Sequence, residues 1–113
     1  MLKTINPNNE WEFVIDDETR FTLKPFAGAL TSGDMDHEYF KKCIVEATGF
    51  VYAGKEIRHW KKTTGQATYM NNKQAYIGMI PWSDILPPKV ASDLLLDIIK
   101  HSTLEDGERK NSQ

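Results

Sequence analysis

The chain changes its hydrophobic rhythm three times. In the stretch EWEFVIDDETRFTLKPF, Trp11, Phe13 and Ile15 alternate with Glu10, Glu12 and Asp16, the period of two that belongs to a half-buried strand. The polar run Asp16, Asp17, Glu18, Thr19 interrupts it, and the alternation resumes with Phe21 and Leu23 on one face, Thr22 and Lys24 on the other. This predicts a β-hairpin that ends at Pro25. A hairpin alone is marginal in water, so another segment must cover its aromatic face.

The second rhythm is helical. Between Asp36 and Thr48, the residues Phe40, Cys43, Ile44 and Ala47 follow the i, i+3, i+4, i+7 spacing of one helix face. Asp34 or Asp36 is placed to cap its first turn, Gly49 to close it in a left-handed conformation, and Phe50 to fold back beyond. From Val51 to Ile80 the pattern is weaker. FVYA, EIRHW and QAYIGMI read as short strands, with turns at Gly54, Gly65 and the pair Asn71 and Asn72. The polar stretch KKTTGQATYMNNKQ reads as an exposed loop or a protruding hairpin.

The third rhythm follows Pro81. Ser83 and Asp84 are placed to cap a single helical turn, and Pro87 and Pro88 open a helix, since proline suits the first turn. Its segment VASDLLLDIIKHS puts Ala91, Leu94, Leu95, Ile98 and Ile99 on one broad apolar face. Beyond Leu104 no apolar residue remains. The fold class expected is α+β: an N-terminal β-hairpin with a few additional short strands, packed against two main helices. No repeat or linker divides the chain, so residues 1–104 are expected to form a single α+β domain and residues 105–113 a mobile polar C-terminal tail.

Composition limits the classes of function. A chain of 113 residues with 40% hydrophobic and 27% charged residues has the make-up of one globular domain. The net charge of -2 and pI near 5.9 give no global attraction to nucleic acid or anionic lipid, so such binding would need a local patch. Cys43 is the single cysteine, which excludes an intrachain disulfide and fits a reducing cytoplasm. No window has the apolar length of a signal peptide or a membrane span, so a cytoplasmic protein with no membrane partner is expected.

Candidate chemistry is sparse. His37, His59 and His101 are far apart in sequence and lack the spacing of a metal finger. Asp34, Asp36 and Glu38 lack the glycine and distal glutamate of a calcium loop, and helix capping accounts for them. Cys43, Ser32 and Ser83 have no nucleophile signature around them, and no glycine-rich phosphate loop is present. No metal or cofactor is expected, and the chain reads as non-enzymatic.

The run GKEIRHWKK is the exception, with Lys55, Arg58, Lys61 and Lys62 around Trp60, and Tyr52 and Tyr69 near by. Three readings compete. Basic residues among aromatics bind single-stranded nucleic acid. A strand with Ile57 and Trp60 packed inward needs no ligand. A protein-binding anchor would use Arg58, Trp60, Lys61, Lys62 and Tyr69, residue types that include those enriched at interface hot spots. Trp11 and Trp82 read as the apolar side of the hairpin and a seal on the core.

The hairpin ending RFTLKPF, the polar middle with short aromatic segments, and the late LPPKVASDLLLDIIKHSTL, with Leu86, Pro87 and Asn111 near the close of the chain, together resemble small tail-assembly proteins of long-tailed phages. That resemblance implies a non-enzymatic tail assembly chaperone that binds the extended tape-measure protein, or the tail tube protein, and keeps it soluble, with a homo-oligomer as a further expectation. Those proteins are mostly helical, whereas residues 51–80 here read as β-rich, which points alternatively to a minor virion component. No site residue carries over. The alternative from another class is a small nucleic-acid-binding regulator using residues 55–62, and the third is a small enzyme with an unfamiliar site.

Removing residues 105–113 should leave the melting temperature within about 4 °C of the full chain, since the tail offers no apolar group to bury. A larger fall in a calorimetric scan would mean that the tail docks.

Overall fold

The computed structural model describes residues 1, 6, 8–26 and 35–102, without the side chains of 35–38. Its centre is a six-stranded antiparallel sheet in which each strand pairs with the next in sequence: β1 (Trp11–Val14), β2 (Arg20–Leu23), β3 (Ile44–Tyr52), β4 (Lys55–Lys61), β5 (Gln66–Tyr69) and β6 (Gln74–Tyr76). Three helices accompany it: α1 (Met35–Cys43), α2 (Trp82–Ile85) and α3 (Pro88–His101). The α+β class holds. The N-terminal hairpin is there, and the additional strands extend it into one continuous sheet; the helices number three among the described residues, where two were expected.

The N-terminal hairpin forms as its alternation requires. Trp11 stands opposite Leu23 and Phe13 opposite Phe21; Phe21 and Leu23 are buried, Trp11 and Phe13 half-buried. At the turn, the Asp16 carboxylate accepts the amides of Glu18 and Thr19, both at 2.8 Å. Those two bonds hold the Asp16 carboxyl below its ordinary pKa.

The helix expected over 36–48 is half helix and half strand. α1 stops at Cys43, and β3 starts at the next residue. Two irregularities in β3 explain the helical rhythm. Thr22 pairs with Glu46 but Leu23 with Ile44, so Val45 is an extra residue, a bulge. Further on, Thr48 pairs with His59 and Phe50 with Ile57, while Gly49 between them lies at φ +71. The Val45 bulge shifts the register against β2 by one residue, whereas at Gly49 the register with β4 is unchanged and the left-handed backbone alters which face the following side chains occupy. The core-facing positions Ile44, Ala47 and Phe50 therefore recur every third residue, which imitates a helix face.

Gly49 does not close a helix, as expected from the sequence, but lies inside the strand against the hairpin turn. A Cβ there would run into the carbonyl oxygen of Glu18 and stand 2.7 Å from its carbon. The Thr19 hydroxyl donates to the Gly49 carbonyl at 2.6 Å, fastening the same contact. The β1–β2 turn can reach β3 only because this position carries no side chain.

The polar stretch after Trp60 is the protruding hairpin, not a loop: it supplies the end of β4, β5 and the first residue of β6. Its Ala67 is buried at 1% exposure opposite Trp60 and Ala75, so part of the stretch is core. α2 begins at Trp82, with Pro81 at its N-cap and no side-chain capping bond, so Ser83 and Asp84 lie within the turn instead of capping it. α3 opens with Pro87 at the N-cap and Pro88 in its first turn, as their pairing predicts. Leu94 and Ile98 are fully buried, Ala91 and Leu95 half-buried against the core, and Ile99 is exposed. The Asp34 cap and the tail from 105 lie outside the described residues.

Trp82 gathers the core. Its ring meets Phe21 at 5.2 Å, Phe50 at 5.2 Å and Trp60 at 5.6 Å between centroids, edge-to-face or tilted geometries that favour aromatic packing. Its indole N–H is buried without a hydrogen-bond partner.

Gly49→Ala and Gly54→Ala separate backbone strain from collision. Both glycines have positive φ, but Gly54 faces open space. Gly54→Ala should cost about 1–2 kcal/mol in urea unfolding, and Gly49→Ala at least about 1 kcal/mol more. Equal losses would mean that the turn does not press on β3.

Candidate functional site

The residues grouped in sequence as one anchor separate in the fold. Trp60 has no exposed surface, and its indole N–H donates to the Gly78 carbonyl at 2.9 Å. It is a core residue with Ile57 beside it, so the inward-packed reading holds for both and Trp60 is not a surface anchor. The cause is a register shift in β4 between Ile57 and His59, which turns positions three apart to the same face. Arg58 is exposed and donates to the Asn72 side chain at 2.8 Å. Tyr69 is half-buried against the core opposite Ile57, with the Lys55 ammonium 5.7 Å from its ring. Lys61 and Lys62 lie at the opposite end of β4 from Lys55.

Other candidates take structural places. Cys43 is buried, and that burial pushes its thiol pKa up to about 11, so it stays protonated at neutral pH. His59 lies 3.2 Å from the Glu46 carboxylate on the neighbouring strand. His101 stacks on Trp11 with centroids 3.9 Å apart, and the Trp11 indole donates to Asp97 at 2.7 Å. Among the described residues no three His, Cys, Asp or Glu side chains converge to hold a metal ion, and no helix is long and apolar enough to cross a membrane.

The Trp11 contacts to Asp97 and His101 set α3 beside β1, the edge strand of the sheet, and a surface arises there. Phe13, Asp93, Leu96, Asp97 and Lys100 line a shallow groove of about 410 Å³. Leu96 is 63% exposed and Val14, on the opposite face of β1, is also 63% exposed. The Ile15 amide bonds the Thr19 carbonyl at 2.9 Å. Because such bonds alternate along an antiparallel pair, the Glu12 and Val14 main-chain groups point away from β2 to the open edge. No described residue pairs with that edge.

Sequence reasoning missed this groove. Two departures from pattern mark it: Val14 stands on the polar side of the alternation, and Leu96 extends the LLL run off the buried stripe of α3. No protein-family model, curated protein or solved structure matches the chain.

Trp60→Ala should cost about 3–5 kcal/mol in urea unfolding, as for a large aromatic removed from a core. Trp60→Phe should cost about 1–3 kcal/mol, because the Gly78 carbonyl loses its donor. A loss under 1 kcal/mol for Trp60→Ala would return the residue to the surface and restore it as an anchor.

Proposed function

We propose that the protein is a non-enzymatic protein-binding module that acts in assembly, by taking an extended segment of a partner against the open edge of β1. The observation that carries this reading is the coincidence of free main-chain groups at Glu12 and Val14 with apolar side chains on both sides of the same edge. Strand addition uses those two elements: main-chain bonds give affinity, and alternate side chains of the incoming segment read the two faces. One set would meet Phe13 and Leu96 in the groove, and the other would meet Val14.

The resemblance to phage tail-assembly proteins favours a tail tape-measure protein as the partner, and phage or prophage tail morphogenesis, in the host cytoplasm, as the setting. A long extended protein suits an edge strand that selects extended chain. The surface is the β1 edge and α3, not the Arg58, Lys61, Lys62 and Tyr69 set of the sequence reading.

The test is titration with the tape-measure protein of the same phage or prophage, alongside variants Leu96→Gln and Val14→Lys. Leu96→Gln should weaken binding by about 2 kcal/mol, roughly thirtyfold, and Val14→Lys should block strand pairing as edge lysines do. Both should unfold within about 0.5 kcal/mol of wild type, as surface changes. Wild-type protein that fails to bind, or variants that bind equally well, would overturn the reading.

A further inference from the structure

The end of the sheet away from the β1–β2 turn collects lysines that are dispersed in sequence. Lys24 follows β2, Lys41 and Lys42 lie in the last turn of α1, Lys61 ends β4 and Lys62 follows it. Main-chain bonds hold these segments side by side: the Lys24 amide bonds the Cys43 carbonyl at 2.9 Å, and the Lys62 amide bonds the Val45 carbonyl at 2.9 Å. The Lys62 ammonium reaches the Lys42 carbonyl at 3.3 Å, and that of Lys42 lies 5.2 Å from the Phe26 ring. Since neighbouring strands are about 4.8 Å apart, the row spans about 10 Å from β2 to β4.

The C-terminus of α1 favours one or two cations by its dipole, and Lys62 already caps its Lys42 carbonyl. Glu46, opposite Lys61 in the register, turns to His59. Burial depresses the pKa of Lys62, and the positive charges of Lys24, Lys41 and Lys42 depress it further. Charges of one sign that repel one another in a chain of net charge -2 fit an anionic ligand that relieves the repulsion.

A second feature adjoins the row through Lys41. Phe40, Lys41, Met79, Ile80, Pro81, Trp82 and Ser83 line a cavity of about 300 Å³ between α1 and α2. Its walls are mostly apolar, Met79 at its rim is 48% exposed, and Trp82 in its wall is the residue whose buried indole N–H has no partner.

From this juxtaposition we infer that the protein binds single-stranded nucleic acid, with phosphates along Lys24, Lys41, Lys42, Lys61 and Lys62 and one unstacked base in the cavity beside Trp82. A single strand is favoured, because a base paired in a duplex must leave its stack, at a penalty, to enter the cavity. Lysines for the backbone and an aromatic-lined apolar recess for a base are the two elements of sequence-tolerant strand binding. The site shares Lys61 and Lys62 with the segment 55–62 but not Lys55 and Arg58, which lie away from it, and it is independent of the β1 edge.

Binding of labelled oligo-dT should weaken with salt at a log–log slope of about -2 to -3.5, for three to five phosphate contacts on a single strand. The double variant Lys41→Ala, Lys61→Ala should reduce that slope by about 1.4 and weaken binding at least tenfold at low salt. An otherwise identical abasic strand should bind about tenfold more weakly, and a duplex of the same length should also bind more weakly. Leu96→Gln should bind oligo-dT as wild type does, which keeps this test separate from that of the β1 edge. No binding at 50 mM salt, an unchanged slope in the lysine variant, equal affinity for the abasic strand, or binding only to phosphatidylserine vesicles would each overturn the inference.

Discussion

The absence of a side chain at Gly49 governs the arrangement of the sheet. At that point the turn between β1 and β2 presses its Glu18 carbonyl onto the middle of β3, and the Thr19 hydroxyl closes the contact by bonding the Gly49 carbonyl. A left-handed residue inside a strand breaks the ladder and changes which faces its neighbours occupy. Phe50 is thereby turned to Trp82 after Ala47 has faced Trp60. Without that phase change, the apolar residues of β3 would divide between the two faces and the inner face would lose its continuity.

The phase change also decided what the sequence could reveal. Regular elements were legible: the hairpin from Trp11 to Leu23 keeps its alternation on either side of a polar turn, and α3 keeps a helical stripe behind two prolines. β3 was not legible, because the Val45 bulge and the left-handed Gly49 turn a period of two into a period of three, and Cys43 belongs to the helix while Ile44 belongs to the strand. The pairing that makes those irregularities favourable is with β2 and β4, which a local window does not contain. The same cause hid the position of Trp60. Ile57 and Trp60 are three apart, so simple alternation sends one of them outward, and only the shift at Arg58 brings both to the core.

Trp82 shows the complementary limit. Sequence reading placed it on the core, and there it lies among Phe21, Phe50 and Trp60, so one side chain joins β2, β3 and β4 to the helical side of the molecule. A buried indole N–H without a partner is costly, and that cost is not visible in a linear pattern. The lysine row was half visible: Lys41, Lys42, Lys61 and Lys62 are two ordinary pairs in sequence, and only the Lys24–Cys43 and Lys62–Val45 main-chain bonds make them one surface.

The order of the strands keeps the two proposed surfaces apart. Because every strand reverses direction, the ends of β2 and β4 and the start of β3 fall at one end of the sheet, and Asp16, Asp17 and Glu18 fall at the other. The β1 edge borders the acidic turn, while the lysine row gathers three strands inward from that edge's far end. A net charge of -2 is thus the sum of separated patches of opposite sign, not a uniform acidic surface. Since charges beyond about 8–10 Å are largely screened at physiological salt, the acidic turn weakens an anion's approach to the lysine row only slightly. An extended protein segment at β1 and an anionic strand at the lysine row can therefore be bound without either excluding the other by charge.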